Sequence, residues 1–157
     1  MGKTLVAYFS AGGTTARAAR EVAQATGADL YEIAPKQRYT AADLDWRDAS
    51  SRSSVEMNDA GCRPAIEGVV GNMGDYDTVF VGFPIWWYVE PRIVDTFLES
   101  YDFAGKTLIP FATSGGSGIA RAEKSLAEHC PAAIWRPGRL LNGGGAAAWA
   151  KGLQQVK

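Results

Sequence analysis

Apolar residues fall along this chain in short unbroken runs, separated by stretches with a helical period. Lys3 to Phe9 is rich in β-formers with no polar alternation, which predicts a strand buried on both faces. Ser10-Ala11-Gly12-Gly13 breaks it. Thr14 to Ala25 then places Ala18, Val22 and Ala25 at helical spacing, with Gly27 positioned to cap the helix. Asp29 to Ile33 reads as a second strand stopped by Pro35, and Asp77 to Phe83 as a third. Pro91 to Leu98 resumes the helical period, its proline in the first turn where a missing N–H is harmless. Lys106 to Ala112 predicts a fourth strand, Ile119 to Glu128 a helix, Ala132 to Trp135 a short fifth strand and Ala146 to Val156 a closing helix. Strand and helix in alternation give an α/β domain over 1–157, a parallel sheet covered on both faces. The exception is the long connection from Lys36 to Tyr76, with patchy helical signal only around Ala41 to Trp46. A connection of that length in a compact domain is functional or locally structured.

Composition narrows the function classes. The 157 residues are 46% hydrophobic and 21% charged, the balance of a globular core. No apolar run approaches the ~18 residues of a membrane span. The opening run is shorter than a signal-peptide core and no small-residue cleavage site follows; Gly2 lacks the Ser or Thr that myristoylation needs where Val6 stands. The expectation is a cytoplasmic protein. Sixteen basic and 17 acidic residues leave a net charge of -1, which argues against nucleic-acid and membrane-surface partners. Cys62 and Cys130 are far apart, and His129 is the single histidine, so a structural zinc site lacks ligands. Beside Cys130-Pro131, His129 reads as a solvated helix end, which argues against Ser-His-Asp or Cys-His hydrolysis.

In an open parallel sheet, ligands bind beyond the carboxyl ends of the strands. Three loops there have unusual compositions. Ser10-Ala11-Gly12-Gly13-Thr14-Thr15 runs straight into a helix: glycines let the backbone wrap closely, hydroxyls donate, and the helix start offers unpaired N–H groups to a phosphate monoester. It is neither a Walker loop nor G-x-G-x-x-G, and an ordinary tight turn with a Thr N-cap is the alternative. Pro84-Ile85-Trp86-Trp87-Tyr88-Val89-Glu90-Pro91 sets three aromatics at a strand end, where a planar heterocycle is the natural partner. The alternative places one Trp in the core and the other in a subunit interface. Thr113-Ser114-Gly115-Gly116-Ser117-Gly118 is small and rich in backbone donors, suited to wrapping the polar edge of a ring, or else a mere turn. Arg121 stands where a G-x-G-x-x-G motif needs its last glycine, and no G-x-S-x-G aligns on Ser114 or Ser117.

Together, Leu5-Val6-Ala7-Tyr8-Phe9-Ser10 with Gly12-Gly13-Thr14-Thr15, Gly82-Phe83-Pro84-Ile85-Trp86-Trp87, and Pro110-Phe111-Ala112 with Thr113 to Gly118 resemble the flavodoxin family, in particular a short-chain subgroup. The resemblance implies a flavodoxin-like three-layer sandwich, its five-stranded parallel sheet in order 2-1-3-4-5, and a noncovalent FMN. It implies that Ser10, Gly12, Gly13, Thr14, Thr15 and Ala16 hold the phosphate. Pro84, Ile85, Trp86, Trp87 and Tyr88 would flank the isoalloxazine, and Thr113, Ser114, Gly115, Gly116, Ser117 and Gly118 would line its other edge. Ser51-Arg52-Ser53-Ser54-Val55-Glu56-Met57 also resembles that subgroup, without a role that the sequence assigns.

Three departures bear on this. Gly12 stands where the family often has a hydroxyl, and Thr14 where it often has Asn. Tyr88 stands where a glycine often permits a backbone flip beside the flavin. The near-zero net charge offers little long-range steering toward basic partners. The expected function is low-potential electron transfer to redox partner proteins by a monomer or weak homodimer, with no side chain acting as acid or base. Two alternatives stay open. One is an FMN-dependent NAD(P)H:quinone or azo reductase, needing a second pocket roofed by Trp46 or Tyr39. The other is a binding module that kept the fold and lost FMN.

Overall fold

The computed structural model describes residues 3–114, 118–142 and 145–155. Its elements run β1 (Lys3–Tyr8), α1 (Thr14–Thr26), β2 (Asp29–Glu32), β3 (Ala34–Pro35), α2 (Arg52–Met57), β4 (Ile66–Glu67), a 3-10 turn (Met73–Asp75), β5 (Tyr76–Pro84), α3 (Arg92–Ser100), β6 (Thr107–Thr113), α4 (Ala120–His129), β7 (Ile134–Trp135), β8 (Arg139–Leu140) and α5 (Ala146–Gln155). The main sheet has the order β2-β1-β5-β6-β7, with β8 also beside β6. All its pairings are parallel. Taking β7 and β8 together as the fifth strand, this is the expected 2-1-3-4-5 order.

The unbroken apolar runs have a direct cause. Side chains alternate across a strand, so a strand covered on both faces needs apolar residues at every position. Leu5, Ala7 and Phe9 join Val79, Val81 and Phe83 in the core beneath α3 and α4. Val6 and Tyr8 join Phe80, Ile109 and Phe111 in a second core beneath α1 and α5. α1 ends where expected: Gly27 takes φ 69° and returns its N–H to the Ala23 carbonyl.

Two parts of the chain depart from the sequence reading. The fifth strand does not end at Trp135 but breaks at Arg136-Pro137-Gly138 and resumes as β8. Pro137 has no N–H for the ladder. A Cβ on Gly138 would sit 2.2 Å from the Pro110 carbonyl oxygen, so only glycine lets the chain pass so close to β6. The long connection contains α2 and β4, which pairs antiparallel with β3 just before it, so Pro35 lies in a strand bridge, while residues 41–46 include turns and no helix. The expected end of the closing helix at Val156 lies outside the described residues.

Gly138→Ala should destabilise the fold by about 1–3 kcal/mol, because β6 backbone cannot move aside for the methyl group. Urea unfolding checks this, and an unchanged midpoint would contradict the close-packing account of the strand break.

Candidate functional site

The loop after β1 closes on itself before the helix begins. The Gly13 N–H donates to Ser10 Oγ at 3.1 Å. Gly13 is the N-cap of α1 at φ 94°, a left-handed conformation that replaces the Thr side-chain cap the sequence suggested. The first helical hydrogen bond runs from Arg17 N–H to Gly13 O, so the N–H groups of Thr14, Thr15 and Ala16 precede the ladder. Gly12, Gly13 and Thr14 are exposed, Ser10 and Ala16 half-buried. Thr15 is different: its hydroxyl is buried and 2.8 Å from Thr113 Oγ1, which fastens the first loop to the end of β6. Arg17, just beyond the loop, supplies the cation that the loop itself lacks and lines a cavity with Gly12, Gly13, Thr14 and Asn142.

The loop after β5 is a tight hairpin turn. Trp86 N–H donates to Val89 O at 2.9 Å and Val89 N–H to Trp86 O at 3.1 Å. The two central residues, Trp87 and Tyr88, have φ of 50° and 74°. Positive φ at both positions defines a type I′ turn, whose usual occupants are Asn and Gly. Aromatic residues there cost on the order of 1–3 kcal/mol each, so the surroundings must hold the turn in place. Trp87 and Tyr88 are exposed, Pro84, Ile85 and Trp86 half-buried. Trp86 packs edge-on against Phe9 and Tyr39, with ring centroids 5.6 and 5.5 Å away.

The segment without an assigned role, Ser51 to Met57, supports this packing. Arg52 lies 3.8 Å over the Tyr39 ring. The Tyr39 hydroxyl donates to Glu56 Oε1 at 2.5 Å, and Arg52 Nε donates to Glu56 Oε2 at 2.9 Å. Burial, and then the bond to Glu56, hold the Tyr39 hydroxyl well above the usual phenol range, so it stays a donor. Arg92 on α3 completes the support by donating to Met57 O at 2.8 Å.

The third loop leaves β6 at Thr113. Ser114 N–H donates to the Asn142 side-chain oxygen at 2.6 Å, and Ile85 N–H donates to Thr113 O at 2.9 Å, tying the loops together. Asn142 had no place in the sequence reading; its only signal was the glycine run that follows it. Gly118 is exposed, while Gly115, Gly116 and Ser117 lie outside the described residues.

Two neighbouring cavities lie at this edge. One of about 470 Å³ lies against the first loop, Arg17 and Asn142. The other, about 390 Å³, is lined by Thr14, Pro84, Ile85, Trp86, Thr113, Ser114 and Asn142. Thr14 and Asn142 belong to both; Arg17 and Glu21 put a cation and a carboxylate on the first, while Pro84, Ile85 and Trp86 give the second an apolar side. Of the described residues expected at the site, Ser10, Thr15, Ala16, Trp87, Tyr88 and Gly118 do not line either cavity. Trp87 and Tyr88 instead line a third recess of about 270 Å³, with Trp46, Ile85 and Trp86. His129 is not the solvated helix end that was expected: its side chain is 25% exposed and turns inward toward Glu90 and Asp95.

A doubly covered parallel sheet with glycine- and aromatic-rich loops at its carboxyl edge is the flavodoxin fold. The flavodoxin family profile matches residues 3–153, and the chain belongs to that family. It is similar to a protein of Bacteroides uniformis classed provisionally as a flavoprotein, with 58% identity, 98% coverage of both chains and a TM-score of 0.92. A second such protein, from Bacteroides eggerthii, is 53% identical over 99% of this chain and 98% of its own, with a TM-score of 0.94. A Lactobacillus acidophilus flavoprotein solved with FMN shares the fold at 19% identity, 89% and 93% coverage and a TM-score of 0.73. No curated protein matches.

Thr15→Val should cost about 1–3 kcal/mol by leaving the Thr113 hydroxyl buried and unpaired, whereas Thr15→Val with Thr113→Val should cost about 1 kcal/mol or less. Equal losses in single and double variants, measured by chemical unfolding, would show that the hydroxyl pair does not join the loops.

Proposed function

We propose that this chain binds FMN across its three carboxyl-edge loops and carries electrons between partner proteins. The observation that carries this reading is that two neighbouring cavities share Thr14 and Asn142, with Gly12, Gly13 and Arg17 lining one and Pro84, Ile85 and Trp86 the other, a slot. The N–H groups of Thr14, Thr15 and Ala16, with Arg17 beside them, suit a phosphate dianion, since a helix start bears roughly half a positive charge. The slot suits a flat ring held by apolar contact on Trp86 and by polar contact with the third loop and Asn142. The Lactobacillus relative with FMN supports the same ligand here. Bound FMN supplies one- and two-electron redox chemistry.

The protein's own contribution is binding and electrostatics. The described lining of the ring slot contains no Lys or Arg, and Arg52 is engaged with Tyr39 and Glu56. A slot without a counter-cation disfavours added negative charge, which favours a low potential. Exposure of Trp87 and Tyr88 leaves an apolar rim for an incoming partner.

A second reading has its own support. The recess lined by Trp46, Trp86, Trp87 and Tyr88 shares Ile85 and Trp86 with the ring slot, where a planar electron acceptor could stack. That favours an FMN-dependent reductase. Trp46 lines this recess, which supports its use as a roof in that reading, while Tyr39 packs edge-on against Trp86.

Anaerobic mixing of FMN-loaded protein with NADPH, followed in the visible spectrum, separates the two. The carrier stays oxidised until a partner reductase or dithionite is added. Rapid bleaching by NADPH alone would replace the carrier with the reductase.

A further inference from the structure

The strained Trp86–Val89 turn is followed directly by Glu90, whose side chain is fully buried. Asp95, in the first turn of α3, is also fully buried. Donor atoms of Glu90, Asp95 and His129 all lie within 4.8 Å of one another. His129 Nδ1 is 2.8 Å from the Ser125 carbonyl oxygen, 3.6 Å from Glu90 Oε2 and 3.7 Å from Asp95 Oδ1. A carbonyl oxygen only accepts, so Nδ1 carries a hydrogen, and its lone pair is not offered to a metal ion. Ser125 Oγ donates to Glu90 Oε2 at 3.0 Å.

Little else faces the carboxyl groups. Arg92 Nη1 lies 3.9 Å from Asp95 Oδ2, but the guanidinium donates to the Met57 and Glu56 carbonyls. Farther out, Arg63 feels Asp95 and Glu99 feels His129, while Arg63 and Glu99 pair with each other at 3.0 and 2.9 Å. Glu90 Oε1 and both Asp95 oxygens have no donor of their own. Burial with oxygens left unmatched favours a protonated Glu90 carboxyl.

We propose that Glu90 and Asp95 share one proton between their unpartnered oxygens, enclosed by His129, and that this proton-holding site anchors the Trp86–Val89 turn and ties FMN retention to pH. The link to FMN rests on the function proposed above; the shared proton does not. Burial first, and then the neighbouring Asp95, push the Glu90 carboxyl from 4.5 up to about 9. Between those limits the folded chain holds a proton that the unfolded chain has released. Stability therefore falls as pH rises through that window, with the folding equilibrium constant dropping by up to ~tenfold per pH unit, and the loss is complete above the folded value. Glu90→Gln removes the titration while its amide still donates to Asp95.

The test is urea unfolding of FMN-free protein at pH 5.5, 7.0 and 8.5, beside FMN titrations at pH 7.0 and 9.5. Relative to Glu90→Gln, the native folding constant should fall by several-fold to ~tenfold per pH unit. Asp95→Asn should flatten the profile in the same way, which serves if Glu90→Gln does not fold. The native-to-variant ratio of FMN affinities should drop at least ~fivefold from pH 7.0 to 9.5, as deprotonation frees the turn. Parallel pH profiles would overturn the shared proton, as would one equivalent of zinc taken up by native protein and lost in Glu90→Gln. A constant affinity ratio would overturn the link to the turn. If FMN fails to bind at either pH, the function proposed above falls, and the unfolding profiles still decide the shared proton.

Discussion

Parallel strands cannot be joined by tight hairpins, so each must be followed by a crossover that returns the chain to the opposite end of the sheet. Here β1, β5 and β6 are adjacent, parallel and buried on both faces, which brings the loops that leave them out side by side. Everything at the candidate site follows from that constraint. Thr15 can reach Thr113, Ile85 can donate to the Thr113 carbonyl and Ser114 can reach Asn142 because four loop starts share one edge. The same constraint makes the buried centres of β1, β5 and β6 apolar.

Within that frame the Trp86–Val89 turn is the costly element. Two aromatic residues occupy left-handed backbone positions, and they do so on a column of supports. Phe9 and Tyr39 hold Trp86, α2 holds Tyr39 through Arg52 and Glu56, and Arg92 ties α2 to α3. The long connection is therefore structural scaffolding for the aromatic loop. On the other side, the fully buried Glu90 follows directly on the turn. Strain persists at a functional loop when its neighbours over-determine it, and here the neighbours come from both flanks.

Much of this was legible in the sequence because its signals are long and local. Five strand runs, the helical periods and the Gly27 cap could be read from spacing, and the three loops from composition. β8 was missed because Pro137-Gly138 reads as a turn, whereas the glycine lets a broken strand continue against Pro110. α2 was missed because its six residues are too few to establish a period. The role of Thr15 depends on a partner 98 residues away, and that of His129 on two carboxyl groups from another helix and loop. No local pattern encodes such pairings. Asn142 was overlooked for the same reason, since its partner Ser114 lies on a different strand end.

The central claim is that one ligand spans all three loops. Backbone amide shifts of ¹⁵N-labelled protein, recorded on titration with FMN, test it most directly. The account predicts saturable changes at a 1:1 ratio, concentrated in Ser10 to Ala16, Ile85 to Val89, Thr113 to Gly118 and Asn142. Shifts confined to one loop, or no saturable shift at all, would contradict it.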